Sequence, residues 1–227
     1  MFIGHYGLAF AAKKISAKPS LGTNFLAAQL LDLLWPVFLL FGLERVAIEP
    51  GNTAFTPLNF VSYPFSHSLL AVVMWGLLSG LVYYLAKNNE KSALLVTGLV
   101  LSHWFLDMIS HAPDLPLDFY EETKVGLGLW NNKLASLAVE GLIFFGGLTL
   151  YVSETKSRNK AGTYGLVGLV AFLLIIYTLS ALGNPPPDSR SVMYAGLAQW
   201  VFIFWGYWVD QNRTLKETGL ASGSIMK

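Results

Sequence analysis

Four histidines, His5, His67, His103 and His111, all fall in the first half of the chain, and each sits next to a small or an acidic residue. Within apolar stretches the ionisable groups are Asp32, His103, Asp107 and Glu140. An ionisable group at membrane depth costs roughly 2.5–3.5 kcal/mol on insertion scales, so four of them need one another or a metal ion. His103, Asp107 and His111 are spaced i, i+4, i+8. At about 100° per residue this puts them within about 80° of each other on one helical face. One helix with that spacing can offer imidazole and carboxylate to a single ion, or use the carboxylate to orient an imidazole. A hydrogen-bonded His–Asp pair inside a helix bundle is the other reading of the same residues.

His67 is placed differently. Pro64 stops the preceding segment, Ser66 is a candidate N-cap, and His67 opens an apolar run. The positive end of a helix disfavours imidazolium, and neutral imidazole is the metal-binding form. Asp32 precedes Pro36 by four residues, and proline cannot donate to the Asp32 carbonyl. A kink is expected there, exposing a carboxylate and a freed carbonyl at one level. Glu140 is a further candidate, as ligand, general base or supporting group. Taken together, His67, Asp107, His111 and Glu140 fall toward the outer half of a membrane and Asp32 and His103 nearer mid-depth, so one polar pocket opening outward would hold them. Imidazole nitrogen with carboxylate oxygen suits Zn²⁺, with Mn²⁺ or Fe²⁺ next, better than Ca²⁺ or Mg²⁺. There is no cysteine, which excludes thiolate sites, disulfides and Cys nucleophiles. The GxSxG, Walker A, HExxH and GxGxxG patterns are absent as well.

The elements that must position these groups follow from composition. Of 227 residues 54% are hydrophobic and 13% charged, and mean hydropathy is +0.50. Soluble domains carry about 25% charged residues. This composition therefore predicts an all-α polytopic transmembrane bundle and excludes disorder. The net charge of +1 gives no basis for a nucleic-acid partner. Six apolar runs have spanning length, near Asn24–Val46, His67–Ala86, Ala93–Ala112, Leu134–Val152, Tyr164–Leu182 and Val192–Val209. Phe2–Ala12 is too short to span and is expected as a half-helix or an interfacial segment.

With the segment before the first run in the cytoplasm, eleven of the 15 lysines and arginines, Lys227 among them, fall inside. Arg45, Lys124, Lys133 and Arg190 fall outside. This is the positive-inside bias and puts the C-terminus in the cytoplasm. Gly126–Trp130 is apolar enough to dip into the interface, and the tryptophans, Trp130 included, are expected as an aromatic belt. The chain reads as one integral membrane domain, 1–227, with residues 1–152 as the polar-site half and 153–227 as two further spans and a tail.

These motifs have a counterpart. Gly4-His5-Tyr6-Gly7, Leu31-Asp32-Leu33-Leu34-Trp35-Pro36, Ser66-His67-Ser68-Leu69 and His103-x-x-Leu106-Asp107 together resemble the predicted membrane-bound metal-dependent hydrolases. These are small bacterial inner-membrane proteins that include LexA-regulated members. The resemblance covers roughly residues 1–112, and Gly126–Glu140 resembles one branch of the group. It implies His5, Asp32, His67, His103 and Asp107 as metal ligands. Two departures stand out: the family's Pro-Asp-x-Asp here has one acid, and its His-Arg-Gly before the second histidine motif is absent.

Three functions fit the sequence. The first is a metal-dependent hydrolase acting on a lipid or another amphiphile, with Glu140 or His111 as acid or base. The second is a small transporter that uses the same groups as a cation or proton path. The third is a structural membrane protein pinned by its polar cluster.

Overall fold

A computed structural model describes residues 1–216; Lys227 and the rest of the expected tail lie outside the described residues. The helices are α1 (Ile3–Ile15), α2 (Leu21–Ala28), α3 (Leu30–Leu40), α4 (Pro64–His67), α5 (Leu69–Lys87), α6 (Glu90–Ser110), α7 (Lys133–Glu154), α8 (Lys160–Leu182), α9 (Ser189–Ala198) and α10 (Trp200–Gln211). Short strands join them: β1 (Arg45–Ile48) with β2 (Leu58–Ser62), β3 (Leu115–Pro116) with β4 (Lys124–Val125), and β5 (Thr155–Ser157) with β6 (Arg213–Leu215), each pair antiparallel. The architecture is all-α. Five helical segments are long and apolar enough to cross a membrane, or six if the bent α2–α3 pair is one span.

The helices start where a polar side chain precedes an apolar run. Ser68, Asn89, Asn132, Asn159 and Asp188 each accept a hydrogen bond from the backbone N–H three residues on, which satisfies one of the unpaired donors of a first turn. The cap of α5 is thus Ser68, not Ser66 as the sequence suggests, because Pro64–His67 forms a separate turn before it.

The first span also departs from expectation. It bends by 56° at Gln29, between α2 and α3, and Pro36 sits inside α3. Packing explains the position of the break: the Ala28 carbonyl there accepts from His103 Nδ1–H at 2.7 Å. A side chain thereby replaces a helical donor within the membrane region. The break also makes a new helix N-terminus at mid-span, with Asp32 in its first turn, where the helix dipole favours a negative charge.

The N-terminal segment is a half-helix of about 20 Å, from 13 residues at 1.5 Å rise. It does not lie at the interface. Ile3, His5, Tyr6, Ala9 and Phe10 are all buried, and α1 runs along α7 in the middle of the bundle. Small residues permit this. A Cβ built on Gly7 would lie 2.5 Å from the Ile143 carbonyl oxygen, and one on Gly147 1.8 Å from the Gly7 carbonyl oxygen. The two backbones are therefore in direct contact, the close approach that small residues allow between membrane helices.

The two ends of the bundle differ. One carries β1–β4 and the turn at Leu129–Asn131. The other carries β5–β6, where Arg213 donates to Thr155, Ser157 and the Gly162 carbonyl and Lys13 reaches Pro19 and Asp210.

Candidate metal centre

Four elements bring five side chains together. His5 comes from α1, Asp32 from the first turn of α3, His67 from α4, and His103 and Asp107 from successive turns of α6. His5, His103 and Asp107 offer donor atoms within 4.8 Å of one another, and so do Asp32, His67 and His103. His67 Nε2 lies 3.6 Å from Asp32 Oδ1 and 3.7 Å from Asp107 Oδ2. His103 Nε2 lies 3.7 Å and 3.1 Å from the same two atoms. Four of the five residues are buried, while Asp32 keeps 21% of its side chain open.

The tautomers of two histidines follow from their outer partners. His103 Nδ1 faces a carbonyl, which can only accept, so Nδ1 carries the hydrogen. Ser66 Oγ–H donates to Glu44 Oε2 at 2.7 Å, which leaves its lone pair to accept from His67 Nδ1–H, also at 2.7 Å. Both neutral rings therefore present an Nε2 lone pair to Asp32 and Asp107. A lone pair facing a carboxylate oxygen is repulsive unless a proton or a cation lies between them. His103 Nε2 is buried and, although 3.1 Å from Asp107 Oδ2, makes no well-directed hydrogen bond among the described residues. Ligand atoms 2.0–2.1 Å from a tetrahedral ion are about 3.3 Å apart, and the four His–Asp separations here run from 3.1 to 3.7 Å. The sets that converge within 4.8 Å are the two triads that share His103. Each offers imidazole and carboxylate of the kind that hold a divalent cation, and tied Nδ1–H groups are the usual support of metal-binding histidines.

His5 is held differently. Its ring stacks on His103 with centroids 3.6 Å apart and planes 4° from parallel. Its Nε2 is 3.1 Å from Asp107 Oδ1, and its Nδ1 has no partner among the described residues. The Met1 amino group is also paired with Asp107 Oδ1.

Two expected site residues stand outside this convergence. His111 does not share the face of His103 and Asp107. The helix ends at Ser110, and His111 takes an extended conformation at φ −65°, ψ 150°. Its ring turns to Asp114 Oδ1 at 2.9 Å and Tyr63 Oη at 3.3 Å. Glu140 accepts from the N–H groups of Phe2 (2.8 Å) and Gly4 (3.3 Å), so its carboxylate receives the positive end of α1.

The sequence reading missed Glu44, which is buried just beyond the end of α3 and joined to Ser66 across the β1–β2 hairpin. Burial pushes its carboxyl up from the ordinary value, and His67 together with the donors of Ser66 and Phe65 draws it back. A lone acid at the junction of an apolar run and a turn was the one signal available. Trp130, expected in the aromatic belt, is buried and packs against His111 and Phe55; Phe55 N–H donates to its carbonyl and ties its loop to the hairpin.

Comparison with protein-family profiles, with characterised proteins and with solved structures gave no match.

Proposed function

We propose that this chain is a membrane-embedded hydrolase that works with one divalent metal ion. Asp32, His67, His103 and Asp107 would hold the ion, with His5 as the further donor that the family resemblance implies. The observation that carries this reading is the pair of Nε2 lone pairs, each fixed by an outer hydrogen bond and set 3.1–3.7 Å from two carboxylates. Zn²⁺ suits two imidazoles and two carboxylates best, with Mn²⁺ or Fe²⁺ as alternatives. Bound there, such an ion supplies Lewis acidity and a water whose pKa falls toward 7. Two carboxylates would offset the charge of the ion, and the Met1 ammonium beside Asp107 adds one further positive charge.

Of the two groups considered for proton transfer, His111 lines the cavity above the cluster and Glu140 does not. His111, held through Nδ1 by Asp114, is therefore the assigned acid or base. Glu140 supports α1 and through it His5. The substrate class is a lipid or another amphiphile, the setting is the bacterial inner membrane, and the β1–β4 end faces outward because most Lys and Arg lie toward the other end.

Metal analysis of detergent-purified protein tests the reading. The wild type should carry about one equivalent of a divalent transition ion, and His103→Ala should carry none while eluting as the same species. Metal-free wild-type protein, or undiminished metal in the variant, would refute the assignment. A finer prediction concerns the chain from His67 through Ser66 to Glu44. Ser66→Ala should weaken metal affinity about 10–100-fold, as loss of an outer partner typically does, with no loss of helical content. Chelator competition reads this directly, and an affinity within twofold of wild type would mean that the Ser66–Glu44 contact plays no part.

A further inference from the structure

The cluster forms the floor of a cavity of about 490 Å³, within the roughly 300–1,000 Å³ usual for small-molecule sites. Asp32, His67, Asp107 and His111 line its polar end, and no lysine or arginine lines it anywhere. Its far walls are apolar, with Phe172 and Ile176 from α8 on one side and Val192 and Ala195 from α9 on the other. Phe172 and Ala195 are both exposed, so the cavity is open on the side where α8 and α9 face each other.

The cause lies in how the last helices pack. α8 runs along α10, while α9 leans onto α3, so α8 and α9 barely touch. Gly196 seats against Pro36, where a Cβ would fall 2.9 Å from the proline Cβ, and this close approach holds α9 against α3. Three polar atoms of lining residues are buried with no partner among the described residues: the indole Nε1 of Trp35 and of Trp130, and Oε1 of Gln199. Buried polar groups in folded proteins are nearly always paired, and these three atoms are themselves covered, so a partner would reach them only after a small side-chain movement.

We propose that the gap between α8 and α9 admits one lipid directly from the bilayer. A single long hydrocarbon chain would lie between the two helices. Its oxygen-bearing head would rest at the cluster, beside Trp35 and Trp130. This deepens the hydrolase reading and rests on it for what happens at the cluster. Physical chemistry favours the sideways route, since a chain that slides from the membrane core into an apolar slot is never exposed to water. No lysine or arginine lines the cavity and the Met1 ammonium is already paired with Asp107, so the head would be recognised by hydrogen bonding and by the ion.

Photolabelling tests the route. The protein is reconstituted in phosphatidylcholine vesicles doped with phosphatidylcholine bearing a diazirine on the acyl chain next to the ester carbonyl, irradiated, digested and mapped by mass spectrometry. Wild type should be labelled inside, on the peptides of Trp35 and Trp130, as well as on the exposed Leu134 at the outer end of α7. Ala195→Trp and, on the opposite wall, Ile176→Trp should each lose the interior label and keep the label at Leu134. Interior labelling that is absent in wild type, or unchanged in both variants, would overturn the proposal. Metal content measured on the same samples separates the two readings. Metal-free protein with gated interior labelling removes the hydrolase and leaves the lipid route, whereas metal-loaded protein without interior labelling does the reverse.

Discussion

Asp107→Ala is expected to strip the metal and to destabilise the fold in one step. The Asp107 carboxylate lies 3.1–3.7 Å from His5, His67 and His103 and pairs with the Met1 amino group, so three histidines from three helices and the Met1 amine converge on it. Removing one partner of a buried charge cluster costs about 3–5 kcal/mol, because the groups left behind have neither water nor a counter-charge. A thermal scan in detergent should show a clearly lowered melting transition, and metal analysis should show no bound ion. Asp107→Asn keeps the volume and one acceptor but not the charge. It should lose the metal with a smaller drop in stability. If Asp107→Ala melts like wild type and still binds an ion, the cluster is not organised around this residue.

Gly147→Val should prevent formation of the native bundle. A Cβ at this position would fall 1.8 Å from the Gly7 carbonyl oxygen and 2.6 Å from its carbon, and backbone atoms cannot rotate away as a side chain can. α1 would have to leave α7, taking with it His5 and the N–H groups that Glu140 binds. Helix propensity slightly favours valine over glycine, so it does not account for a loss. The neighbour supplies the control: nothing lies within 4 Å of a Cβ at Gly146, so Gly146→Val should purify as a single species like wild type. Size-exclusion chromatography should show aggregated or missing Gly147→Val protein beside normal Gly146→Val. Equal behaviour of the two would contradict the backbone contact between α1 and α7.

Both variants act on the same feature, helices that begin at mid-depth. α1 and α3 each place an N-terminus near the cluster, with Glu140 at one and Asp32 in the first turn of the other. A helix start inside the bundle leaves unpaired N–H groups and a positive end that a carboxylate can satisfy. The buried acids of this chain thus have structural partners as well as a place in the proposed chemistry.

Much of this was legible in the sequence. Low charge and long apolar runs dictated an all-α bundle, because backbone groups in lipid must be paired within their own segment. The i, i+4 spacing of His103 and Asp107 made them neighbours on any helix. His5, Asp32 and His67 could be singled out by type and by their small or proline neighbours. Other features depended on contacts between segments distant in the chain. The 56° bend between α2 and α3 falls at Gln29, where His103, 75 residues away, donates to the Ala28 carbonyl. His111 left the shared face because α6 stops one residue short of it. Glu44 joined the site only because the β1–β2 hairpin folds it back onto Ser66. The first half of the chain supplies the cluster's donors, as its histidines announced, but α8, α9 and α10 supply the wall through which the cavity opens. Local rules of spacing and burial name the groups that need partners, and only the packing of remote helices decides which partners they receive.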